Sequence, residues 1–127
     1  MIDKAAISSP GTHYGDPKAA TRLFRLQRLT GALNIGFLAF FAWLVLNLAG
    51  ADRASMLALF HNPVVAILCG LLLVSAGLHM RIGMLEVIED YVATPARNHL
   101  AVLINDIVAY GAIILGLLAL LKLLIWG

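Results

Sequence analysis

Three long apolar runs, at roughly residues 29–50, 63–80 and 107–126, dominate the pattern of the chain, with short polar stretches between them. Each is near the ~20 residues a helix needs to cross a hydrocarbon core of about 30 Å. The runs predict three transmembrane helices, with helical spans at roughly 29–50, 63–92 and 101–126 once their flanks are included. The fold class is therefore an all-α membrane protein, an up-down-up three-helix bundle with a short N-terminal interfacial lead-in helix. Residues 1–16 carry Ser8, Ser9, Pro10, Gly11 and Gly15 without apolar periodicity and read as a flexible tail. Residues 17–127 read as one membrane domain. From Asp16-Pro17 onward, Leu23, Phe24 and Leu26 interleave with Arg22, Arg25 and Arg28, as in a short interfacial lead-in that continues into the first span. The 51–62 loop is short and polar, a simple crossing, and Pro63 suits the first helical position of the second span. Thr94-Pro95 ends the second helix after Tyr91-Val92, because a residue before proline disfavours helical dihedrals.

Composition supports this class: 61% of the 127 residues are apolar and 13% charged, against about 25% charged in an ordinary soluble domain. Lys122 falls inside the third run, but its stem can lie along the helix while the ammonium reaches the headgroups. Cys69 is the single cysteine, so no intrachain disulfide forms. The polar start is unlike a cleaved signal, and insertion should use the first span itself. Lys4, Lys18, Arg22, Arg25 and Arg28 precede that span, Arg53 lies in the first loop, and Arg81 and Arg97 flank the second. This asymmetry puts the N-terminus and second loop in the cytoplasm and the first loop and C-terminus on the far side. It also accounts for most of the +2 net charge, and nothing points to nucleic acid.

Ionisable or ligand-capable side chains are expensive inside lipid and so become functional candidates. His79 is the most informative of them. Ser75 and Ala76 lie one turn before it and Gly83 one turn after, leaving room beside the imidazole for something flat, such as haem. A histidine hydrogen-bonded to a neighbouring helix is the competing reading. The remaining histidines, His13, His61 and His99, fall in tail and loops, so a second axial ligand would come from another subunit. Asp90 follows His79 by eleven positions, about 20° away around the helix and roughly 16 Å along it. One face thus joins an intramembrane ligand to Asp90 and Tyr91 at the interface, where a phenol can donate to a carbonyl and a carboxylate can feed a proton. Arg28, beside Thr30 and Gly31, could neutralise a haem propionate or orient a quinone carbonyl. Arg81 fits the charge asymmetry, Glu86 and Glu89 face water, headgroups or a soluble partner, and Asp106 reads as a helix-start acid in the first turn of the third span.

The pattern His79-x-Arg81-Ile82-Gly83-Met84-x-x-x-Ile88-x-Asp90-Tyr91 resembles the second-helix signature of the small D-type hydrophobic membrane anchor of succinate dehydrogenase, complex II. Gln27-Arg28-Leu29-Thr30 and Asn62-Pro63 are similar to its alphaproteobacterial form, and the likeness spans roughly residues 22–126. This resemblance implies that His79 is one axial ligand of haem b, the other coming from a C-type cytochrome b anchor subunit. It also implies that Tyr91 hydrogen-bonds a ubiquinone carbonyl with Asp90 beside it, and that Arg28 lies near the haem propionates. An iron–sulfur subunit and a flavoprotein subunit complete the implied assembly, and succinate oxidation itself belongs to them. Arg22 stands six residues before Arg28, where some members carry a histidine, so the resemblance does not extend to an additional propionate contact in the first helix. Two alternatives remain beside this expectation: a fumarate reductase-type anchor, and a haem-free helical interaction or transport subunit. Against transport, the apolar runs are almost bare of polar residues apart from His79.

Overall fold

In the computed structural model, residues 17–126 are described; the tail expected at 1–16, and residue 127 of the expected membrane domain, lie outside them. Four helices follow one another among the described residues: α1 (Pro17–Leu48), α2 (Arg53–His61), α3 (Pro63–Tyr91) and α4 (Pro95–Ile125). Three of these, α1, α3 and α4, are long and apolar enough to cross a membrane. The expected all-α bundle of three spans is therefore present, and consecutive spans run antiparallel, as Thr30 against His79 with Asn34 against Ser75, and Leu73 against Gly116 with Gly77 against Ile113, require.

The lead-in runs on into the first span, as expected: it forms the first turns of α1, which continues without interruption from Pro17 to Leu48, since nothing between them breaks a helix strongly. Gly50 closes the far end of α1: at φ +73° it takes the left-handed conformation that only glycine adopts without strain. The 51–62 crossing, expected as plain loop, folds into α2. Asp52 caps it by accepting a hydrogen bond from the Ser55 amide at 2.9 Å, and bonds from the Ser55 hydroxyl and amide hold this carboxyl below its ordinary range. Asn62 ends α2 and caps α3 by accepting from the Val64 amide at 3.0 Å, with Pro63 at the start of α3 as expected.

Helix α3 is the middle layer, packing against α1 on one side and α4 on the other, while α2 closes one end of the bundle against α3 and α4. Without a hydrophobic drive between helices in lipid, close approach depends on small residues. Between α3 and α4 that approach is reciprocal. Ile113 of α4 lies directly over Gly77, and Leu73 of α3 lies directly over Gly116. Ile82 and Ala109 are the most completely enclosed apolar residues.

The third long helix begins at Pro95, earlier than the expected residue 101. Asp106 is consequently about three turns inside α4, so its reading as a helix-start acid is corrected. It pairs with Arg81 across the α3–α4 interface at 2.7 Å, and the Arg81 guanidinium also lies 4.9 Å from the centre of the Tyr110 ring. Asn105, buried beside them, donates to the Arg81 carbonyl at 2.9 Å. Arg81 is thus committed to the bundle, beyond the positive-inside role its position suggested.

Candidate functional site in the α1–α3 interface

Within α1, Gln27, Thr30, Gly31 and Asn34 stand at a spacing that places these polar or small side chains along one helical stripe. This stripe faces α3. Ser75 donates to Asn34 Oδ1 at 2.8 Å, and His79 Nδ1 lies 3.2 Å from Thr30 Oγ1. Thr30 is 3% exposed, so this contact sits in the helix interface itself.

Two glycines let the backbones close around these groups. A methyl group on Gly31 would come within 3.2 Å of His79 Cε1, and one on Gly83 within 3.3 Å of Gln27 Nε2. The imidazole therefore rests edge-on against the α1 backbone, and the Gln27 amide rests against α3. Space expected beside His79 at Gly83 is taken by Gln27, and that at Ser75 faces Asn34. Any flat group must approach from the other side of the ring. There the ring's second nitrogen, Nε2, has no hydrogen-bond partner among the described residues, while Gln27 Oε1 is closed off from solvent and also has none.

The remaining candidates lie apart from this cluster. Arg28 is two residues before Thr30, about 160° away around α1, and its exposed guanidinium stacks 5.1 Å from the centre of the Phe24 ring. Asp90 and Tyr91 end α3 about 16 and 18 Å along the axis from His79, Tyr91 being 83% exposed. Because α3 is one unbroken helix over this distance, His79 and Asp90 do share a face. The end of α3 is held from α4 by Asn98, which donates to the Val92 carbonyl at 3.1 Å and reaches the Ile88 carbonyl at 3.4 Å. Thr30, Gln27 and Asn98 complete this arrangement without having been identified as its members from sequence. A polar i, i+3, i+7 stripe in a membrane helix was the available signal for the first two.

Among the described residues, His, Cys, Asp and Glu side chains form no group of three able to enclose a metal. What the chain offers is one imidazole, fixed at one nitrogen and open at the other. That donor set suits a metal whose remaining ligands come from elsewhere, as in a haem whose macrocycle supplies four nitrogens. The residues present thus fit haem, with the second axial ligand left to another chain.

A multi-pass helical membrane protein, with an imidazole set between its spans and an exposed polar helix end, is the class defined by this fold and site. Residues 4–120 match the family model for the succinate dehydrogenase/fumarate reductase transmembrane subunit, and the chain belongs to that family. It is accordingly a membrane anchor that associates with the other subunits of such a complex, one that typically binds haem and quinone. No curated protein and no solved structure matches the chain.

Proposed function

We propose that the chain is the D-type anchor of a succinate dehydrogenase of the alphaproteobacterial form, in the bacterial inner membrane. In this reading His79 is one axial ligand of haem b, a C-type anchor subunit supplies the other, and Tyr91 and Asp90 contribute to a ubiquinone site beside the iron–sulfur subunit. The observation that carries it is the state of His79: Nδ1 is engaged by Thr30 while Nε2 is unpartnered inside a membrane-length helix. An imidazole held at one nitrogen and open at the other can ligate a metal through the open one.

The chain's own residues have distinct tasks. Gly31 sets how closely the His79 ring approaches α1, and Thr30 fixes its orientation. Arg28, two residues from Thr30 and exposed, would supply positive charge for haem propionates. When bound, haem supplies a one-electron store between the spans. Quinone reduction consumes two electrons and two protons, giving the quinol. The electrons come from the iron–sulfur subunit; the Tyr91 hydroxyl donates a hydrogen bond to a quinone carbonyl and polarises it. Asp90, one residue away and exposed, relays protons from the aqueous side. The distribution of Lys and Arg puts this end of α3 in the cytoplasm, with the C-terminus periplasmic.

The test is the reduced-minus-oxidised spectrum of the purified complex, wild type and His79→Ala, together with quinone reductase activity of Tyr91→Phe. A b-type spectrum lost or shifted in His79→Ala supports ligation. Wild-type complex without haem refutes it. Unchanged kcat/KM for quinone in Tyr91→Phe would remove the phenol from the quinone site.

A further inference from the structure

Thr30 has one hydroxyl proton and three neighbours competing for it. Its Oγ1 lies 2.8 Å from the Leu26 carbonyl and 3.2 Å from the Gln27 carbonyl, both within α1, and 3.2 Å from His79 Nδ1 on α3. A hydroxyl on a membrane helix ordinarily bonds back to the carbonyl four residues earlier, and here that contact is the shortest of the three. With its proton on the Leu26 carbonyl, Oγ1 presents only lone pairs toward the imidazole. Nδ1 must then carry the ring hydrogen and donate it to Thr30.

We infer that Thr30 is a positioning residue that sets the tautomer of His79, placing the hydrogen on Nδ1 and leaving Nε2 as a bare lone pair directed away from α1. Two features of the interface, and the chemistry of the ring, agree on this role. Thr30 is almost completely buried, so water cannot substitute for its oxygen. The Gly31 backbone limits the ring's displacement, since a methyl there would meet Cε1 at 3.2 Å. Neutral imidazole carries a single ring hydrogen, so fixing it on Nδ1 frees Nε2 without any change of charge.

The inference rests on the reading of His79 as a metal ligand and adds a consequence for the bound iron. An acceptor on the distal N–H raises the basicity of a ligating imidazole. Greater basicity stabilises the ferric over the ferrous state, so Thr30 holds the haem potential down. Removing the hydroxyl raises it.

The experiment is a redox titration of the haem absorbance in the intact complex, with haem per complex determined alongside, for wild type, Thr30→Val, Thr30→Ser and Thr30→Ala. Thr30→Val keeps the shape and loses the acceptor. Its midpoint is expected to move positive by a tenfold change in the oxidised-to-reduced ratio, about 59 mV for one electron, and haem affinity is expected to fall about tenfold or more. Thr30→Ser, retaining the hydroxyl, is expected to titrate like wild type. Thr30→Ala gives the same comparison should the valine variant fail to assemble. Potentials and haem content equal across all four proteins would overturn the role of Thr30 and leave His79 ligation standing. Equal shifts in Thr30→Ser and Thr30→Val would also overturn it, by tracing the effect to packing. A wild-type complex without haem, or haem retained unshifted in His79→Ala, would instead refute the underlying reading.

Discussion

Gly77→Ala tests whether the α3–α4 interface is held by direct contact of a side chain with a helix backbone. The added methyl carbon would lie 2.5 Å from Ile113 Cγ1 and 2.7 Å from its Cδ1. Ordinary carbon contacts begin near 3.5 Å, so one partner has to move by about 1 Å. Cγ1 is bonded to the Ile113 β-carbon, and the side chain is buried, so rotation of a flexible tip cannot relieve the clash. Overpacking of this kind costs about 1–3 kcal/mol, whereas replacing a helical glycine by alanine returns up to ~1 kcal/mol. A net loss of about 1–2 kcal/mol is expected. Gly111→Ala, on α4 with nothing within 4 Å of the new carbon, is the control and should be neutral or slightly stabilising. Adding Ile113→Ala to Gly77→Ala removes the clashing atoms, so the double variant should be more stable than the sum of the single changes predicts. Equilibrium unfolding from mixed micelles by titration with sodium dodecyl sulfate measures all four. Equal stability of Gly77→Ala and Gly111→Ala, or strict additivity with Ile113→Ala, would refute the proposed packing.

Two further outcomes follow from the polar contacts. Arg81→Ala should destabilise the bundle by more than Arg81→Ala combined with Asp106→Ala, because the single change strands a carboxylate between two helices whereas the double change removes both charges; the same detergent titration decides it, and a double variant worse than the single would count against the pairing. The Asp52 carboxyl, held down by the Ser55 hydroxyl and amide, should titrate below its ordinary value of 3.8 in a carbon NMR titration, and Ser55→Ala should move the midpoint back upward. Its contribution to the α2 cap is then fully present above 3.8 and lost as pH falls through the lower, folded-state midpoint. A midpoint at or above the ordinary value would contradict the cap.

Apolar run length made the three spans legible, since hydrocarbon thickness leaves little freedom in how long such helices can be. Their ends were less so. Residues 95–106, polar at Arg97, Asn98 and His99 and again at Asn105 and Asp106, extend α4 past its longest apolar run, because a helix started at Pro95 continues until something stops it, and apolarity is not required outside the hydrocarbon. That shift turned Asp106 from a terminal residue into the partner of Arg81. Helix α2 was hidden because 51–62 is too short for a span and its apolar residues, Met56, Leu57, Leu59 and Phe60, make only a partial face. His79 stood out as the histidine inside a membrane-length run. What it touches depends on the register of α1 against α3, which no local pattern encodes, and so Thr30 first appeared only as a neighbour of Arg28.

The central position of α3 bears on how the chain enters the membrane. Gln27, Thr30 and Asn34 all face α3, which is synthesised after α1. Until α3 arrives, part of their polar surface has only lipid or the insertion machinery beside it, at a cost on the order of a few kcal/mol. Truncated nascent chains that end after α2 are therefore expected to remain crosslinkable to the insertion machinery through α1, and those extending past α3 to be released from it. Gln27→Leu, Thr30→Val and Asn34→Leu together should permit release at the shorter length. The same side chains that pack around His79 would thus also time the departure of the first helix into the bilayer.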